Sequence, residues 1–243
     1  MINKIIQLAS LKPKKRGSHV GVVISFVMFV AFITFFYLII QPTITSESKK
    51  NLFDYLREQT NYLFSDELTE VSILTDGSSN CIKLTNFLPE TGIGNRIIAR
   101  GDSGLLNSQV YGNDLYVGIG GNNLLWIYGS KEFATNEGTM SGCSSEYTLG
   151  LVKKYKIIFE TKISEFIKDY STDYENTKQQ LKIPEENEFE LDFIYADGTI
   201  ISAQNIQLQS SASSINLYVN EIPIQYISTD GKMESGVLRI KIW

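Results

Sequence analysis

Histidine, cysteine and proline are scarce in this sequence: one His, two Cys and five Pro among 243 residues. The single histidine is His19, at the start of an apolar run, so the remainder has no imidazole to activate a serine or cysteine nucleophile. Zinc sites combine histidine with cysteine, and Cys81 and Cys143 alone do not make the usual sets. No Asn-x-Ser/Thr triplet occurs, so N-linked glycosylation has no acceptor. The spaced carboxylates of a calcium loop are also missing. The acids around Asp169 and Asp173, and from Glu185 to Asp192, read as solvated faces. Gly92-x-Gly94 and Gly118-x-Gly120-Gly121 do not complete a dinucleotide or phosphate loop and read as turns. No cofactor and no metal are implied. Paired carboxylates for an anchored hydrolase have no defined separation in the sequence, and the chain reads as a non-enzyme.

Charge is absent from one long stretch, and that absence is informative. Residues 20–40 are 21 consecutive positions without a charged side chain, about 31 Å as a helix, which matches the hydrocarbon thickness of a bilayer. A secretory hydrophobic region is shorter, and a core helix rarely needs to be apolar on every face for so long. Before the run stand Lys4, Lys12, Lys14, Lys15 and Arg16 with no acid, and after it charges are mixed. The positive-inside rule then places the N-terminus in the cytoplasm and the rest outside, as a single-pass protein of the cell membrane. Removing those five from the 22 basic residues leaves 17 against 27 acidic ones. The outer part is therefore acidic, with no basic stripe, and nucleic acid is not an expected partner. Outside the membrane thiols oxidise, so a Cys81–Cys143 disulfide is expected; the alternative is two separate buried thiols.

Past the apolar run, Pro42 either kinks the helix or begins a new one. Leu52, Phe53, Leu56, Leu63, Phe64, Leu68 and Val71 recur at roughly helical spacing, predicting a stem helix that reaches Thr69. Short apolar segments then follow at 71–74, 81–84, 115–119 and 124–128, with hairpin turns expected at Asp76-Gly77 and at 120–123. A strand or turn leads into a helix carrying Ile157, Phe159, Ile163, Phe166, Ile167 and Tyr170 on one face, with a capping box at Thr172 and Glu175. Phe189, Leu191 and Phe193 alternate with acids, and Asp197-Gly198 turns that strand into a hairpin. Ile215, Leu217 and Val219 alternate next, 220–223 breaks the run, and Asp230-Gly231 leads to a final strand through Leu238, Ile240 and Ile242. Ser210 to Ser214 reads as a loop. Trp126, Tyr128, Tyr195, Tyr218 and Tyr226 fall in strand-like segments, where packing is the commoner use of aromatics. The fold class is α+β: a transmembrane and stem helix, then a mainly antiparallel β-rich extracytoplasmic head with one or two helices. The division expected is 1–17 basic leader, 18–41 membrane helix, 42–70 stem helix and 71–243 head.

Lys14-Lys15-Arg16-Gly17-Ser18-His19, directly before the apolar helix, resembles the prepilin-type signal of archaeal type IV pilins and archaellins. That resemblance implies cleavage between Gly17 and Ser18 by a prepilin-type peptidase recognising Arg16 and Gly17. It also implies packing of the exposed helix with other pilin-like subunits, where the small residues Gly21 and Ser25 permit close contact. Two departures are visible: the acid found five positions into mature bacterial pilins is Val22 here, and the Gln- and Glu-containing motif of one archaeal class is absent. Residues 147–150 and 181–184 look similar to archaeal membrane-anchored surface proteins, and no activity travels with that likeness. The alternative is that Lys14 to Arg16 are only the cytoplasmic flank of a permanent signal anchor, holding a binding or sensor module outside.

Overall fold

The computed structural model describes residues 19–203 and 217–243. The chain divides into two compact units, Met1–Lys50 and Asn51–Trp243. In the first, helix α1 (His19–Phe64) begins. Its segment His19–Ile39 has a mean hydropathy of 2.7 and no residue buried. Leucine and methionine are few there and β-branched Val and Ile many, so intrinsic propensity is modest and composition, rather than a polar and an apolar face, characterises the segment. The element continues through Pro42 without interruption.

Residues 51–64 of α1 belong to the second unit and are amphipathic. Phe53, Leu56, Thr60 and Phe64 are buried while Asp54, Arg57 and Glu58 face solvent, the one-sided stripe of a helix on a core. The buried Thr60 hydroxyl is satisfied by the Leu56 carbonyl at 2.8 Å. The helix stops at Phe64, short of the expected Thr69. Leu68 and Val71 lie instead on β1 (Ser65–Leu74), where Thr69, Val71 and Ile73 alternate as buried residues and Leu68 is buried on the other face. Thr69, Val71 and Ile73 are β-branched and paired on both sides, and those two ladders outweigh a helical spacing that only Leu68 and Val71 extended. Residues 51–70, expected in a separate stem, thus belong with the β-rich unit.

After β1 come β2 (Cys81–Leu84), α2 (Phe87–Thr91), β3 (Ile97–Gly101), β4 (Gly104–Leu106), β5 (Ser108–Tyr111), β6 (Asp114–Gly118) and β7 (Leu124–Gly129). Then follow β8 (Thr148–Phe159), α3 (Glu160–Thr172), α4 (Tyr174–Gln180), β9 (Phe189–Tyr195), β10 (Ile200–Ala203), β11 (Tyr218–Ile227) and β12 (Met233–Ile242). Among the described residues they form a nine-stranded sheet, β10-β9-β12-β11-β8-β1-β7-β3-β4, and a three-stranded sheet, β2-β6-β5. Among the strand pairs of the described residues, only β8–β11 is parallel. With α2, α3 and α4, this unit has, among the described residues, three helices of its own rather than one or two.

Several local expectations change in this context. Asp76-Gly77 and residues 120–123 do turn the chain, but they connect strands of different sheets and close no hairpin, because β1 pairs with β7 and β2 with β6. Ile157 and Phe159 lie on β8, and α3 starts only at Glu160. The cap after Thr172 is Asp173, whose side chain accepts from the Asn176 N–H at 3.1 Å; Thr172 bonds back to Lys168 instead. Pro223 does not break β11. It sits where β11 has β12 as its single strand neighbour, the setting in which a missing N–H is tolerated. The hairpin β9–β10 forms as expected, with Gly198 at φ +86° in its turn, and the turn at Asp230-Gly231, with Gly231 at φ +76°, leads to the expected final strand by closing a second hairpin, β11–β12.

Two main cores result. One joins Phe53, Leu56 and Phe64 of α1 to Ile163, Phe166 and Tyr170 of α3 and to the inner faces of β9, β11 and β12. The other fills the space between the three-stranded sheet and β1, β3 and β7, around Val71, Ile82, Leu115 and Ile127.

Candidate functional site

The residues expected to act fall in two places, residues 16–25 and the cysteine pair. Arg16, Gly17 and Ser18 lie outside the described residues. Gly21 and Ser25 are one helical turn apart, on the same side of α1, and both are exposed. A Cβ placed on Gly21 would meet nothing within 4 Å, so within this chain that surface is open.

Cys81 and Cys143 are bonded, with 4.7 Å between their Cα atoms, across a sequence separation of 62. The bond sits where residues 130–147, the link from β7 to β8, pass alongside the small sheet. The Lys83 N–H donates to the Ser144 carbonyl at 2.7 Å, and the Ser144 N–H to the Cys81 carbonyl at 3.0 Å, so the link lies against the β2 edge. The same link reaches the opposite edge, where Val110 of β5 donates to Asn136 at 2.8 Å and accepts from Gly138 at 3.1 Å. Both edges of the three-stranded sheet are thereby covered, the usual protection against pairing with another chain.

Several charged groups of the second unit sit in ion pairs. Asp66 holds Lys131 at 2.8 Å and Lys162 at 3.1 Å. Burial works to raise the Asp66 carboxyl, but hydrogen bonds from Lys131, the Glu67 N–H and Lys162 outweigh it and bring it down to about 2. On the β9–β12 ladder, Asp192 is 3% exposed and meets Lys241 at 2.9 Å and Arg239 at 3.7 Å. Burial opposes the charge of Lys241, yet Asp192 and Glu190 hold it above its ordinary value. Lys178, 8% exposed, is held by Glu188 at 2.9 Å, and Glu188 also accepts from Tyr174.

Tyrosines supply the remaining polar structure. Tyr155 donates to Glu70 at 3.0 Å, Tyr195 to Glu160 at 2.8 Å and Tyr226 to Glu234 at 2.9 Å. Burial first, and the glutamate second, push Tyr195 up to about 12 and raise the other two as well. All three are neutral donors at physiological pH and serve as ties between elements. Among the described residues, no three His, Cys, Asp or Glu side chains converge to hold a metal ion.

The feature that sequence reasoning missed is a cleft of about 430 Å³ between β8 and β11, bordered by the last turns of α1. Its available signals were the run Lys153-Lys154-Tyr155-Lys156 in a strand and a proline at 223, both marks of an unprotected sheet edge. Comparison of the sequence with protein-family models and with curated proteins finds no match.

Proposed function

We propose that this chain is a membrane-anchored cell-surface subunit of the type IV pilin-like kind, with its N-terminus in the cytoplasm and its β-rich unit outside. The observation that carries this reading is the segment His19–Ile39, which is apolar on every side and wholly unburied. Fully burying one Val, Ile or Phe is worth roughly 1.5–3 kcal/mol, so leaving this segment in water would cost on the order of tens of kcal/mol. Lipid, or a bundle of like helices, removes that cost. Lys14 to Arg16 set the orientation. Gly17 and Ser18 mark the cleavage position, and Gly21 with Ser25 let neighbouring helices approach after processing.

The test is intact-mass and N-terminal analysis of protein taken from its native membrane, wild type against Gly17→Val. The reading expects a mature chain beginning at Ser18 and a block of processing by the substitution. A wild-type chain that keeps Lys14 to Gly17 overturns the pilin-like reading. It would favour a permanently anchored binding module, the reading to which the cleft between β8 and β11 lends support.

A further inference from the structure

The β8–β11 junction is the weakest seam of the large sheet. The two strands share only the rungs Tyr226–Ile158 and Ile227–Phe159. Upstream of these, β11 pairs with β12 and β8 with β1, and nothing described joins β8 to β11. On the side of residues 152–157 turned away from β1, the backbone N–H and C=O groups of every second residue therefore meet no strand among the described residues; Tyr155, Lys156 and Ile157 line the wedge itself, about 10 Å of edge at ~3.3 Å per residue. One loop covers both edges of the small sheet, and among the described residues this one is left open.

The wedge has a definite chemical character. Ile222 and Leu238 form apolar wall, Gln225 adds an amide, and Arg57 and Lys156 supply the charge. No carboxylate lines it, in a chain with 27 acidic and 22 basic residues. The Arg57 side chain has no hydrogen bond or ion pair among the described residues, and Lys156 lies over the Tyr62 ring, 5.9 Å from its centroid. Lys153 and Lys154 precede Lys156 on β8 but turn toward the β1 side, where Lys154 donates to the Gly92 carbonyl at 3.2 Å. Across the β1 ladder, Glu70 stands opposite Lys153 and Glu67 opposite Lys156, but Glu70 already accepts from Tyr155.

We propose that the wedge accepts an extended acidic peptide segment of another protein, which adds as a strand to the free edge of β8 with a carboxylate facing Arg57 and Lys156. Main-chain hydrogen bonds to β8 supply affinity, and the cations supply selectivity. Edge lysines ordinarily repel stray strands; here they reject neutral or basic segments and admit an acidic one. This holds equally for a cleaved, assembling subunit and for a permanently anchored module, so its failure is separate from that of the processing test.

The experiment titrates the full chain in detergent micelles with a fluorescent eight-residue peptide of alternating valine and glutamate. Two controls accompany it: the same peptide N-methylated at alternate residues, and one with lysine for glutamate. Saturable binding is expected, weakened about tenfold or more by N-methylation, by lysine for glutamate, and by Arg57→Glu with Lys156→Glu. Thermal melts confirm that the double variant folds; should it not, Arg57→Glu alone, at an exposed helix position, carries the charge test. Failure of the wild type to bind overturns the proposal. So does equal binding of the N-methylated peptide, which would make the contact electrostatic only, or indifference to charge reversal.

Discussion

The two ends of α1 meet water in opposite ways. Residues 51–64 divide their surface, placing Phe53, Leu56 and Phe64 in the core shared with α3 and β9 while Asp54, Arg57 and Glu58 stay wet. His19–Ile39 makes no such division and buries nothing within the chain. One helix therefore contains a segment satisfied by its own fold and a segment that needs an environment from outside it. The difference is one of pattern: an amphipathic stripe specifies an intramolecular partner, whereas uniform apolarity specifies only a medium.

Substitutions on either side of that comparison should have separable effects. Phe64→Ala, at 1% exposure and edge-on to Phe166, is expected to cost about 3–5 kcal/mol in denaturant unfolding of the β-rich unit, with the membrane-bound fraction unchanged. Loss of membrane binding in that variant would mean the two segments are not independent. Replacing both Cys81 and Cys143 by serine should destabilise by about 2–4 kcal/mol, since the bond closes a long loop in the half of the unit that α1 does not reach. Limited proteolysis should then cut first within residues 130–147. Phe29→Arg, in the middle of the apolar segment, should cost roughly 3 kcal/mol of membrane insertion, read by fractionation, while the β-rich unit melts as in the wild type.

Smaller effects sharpen the picture. Asp66 is depressed to about 2 in the fold, so its ion pairs contribute stability above about pH 4 that is lost as pH falls toward 2. Asp66→Asn should flatten the stability profile across that window, measured by urea unfolding at successive pH values. Gly21→Val meets open space and should change unfolding by less than about 0.5 kcal/mol, while reducing self-association of the chain in detergent.

Local chemistry carried some elements through to the fold without alteration. Alternation at Phe189, Leu191 and Phe193 with Asp197-Gly198 after it formed the expected hairpin, because register and turn are set by neighbouring residues. The turns at Asp76-Gly77 and 120–123 were equally recognisable, but no local signal says which sheet the following strand will join. The end of α1 at Phe64 was hidden for a related reason: Leu68 and Val71 continue the helical spacing, whereas in β1 their odd separation sends them to opposite faces and different cores, an outcome only pairing with β7 and β8 decides. The cleft was least visible, since it arises from two strands, β8 and β11, that are far apart in sequence and touch at two rungs.

The sequence by itself determined the uniformly apolar segment at residues 19–39, the availability of a single cysteine pair and the hairpin at Asp197-Gly198, all properties of composition or of near neighbours. Tertiary structure decided how the strands are shared between two sheets, where α1 yields to β1, that Cys81 lies within bonding reach of Cys143, and that among the described residues β8 keeps an open edge. Those outcomes depend on contacts between residues distant in the chain, whose free energies are settled by the competing partners each strand and each thiol finds once the core has formed.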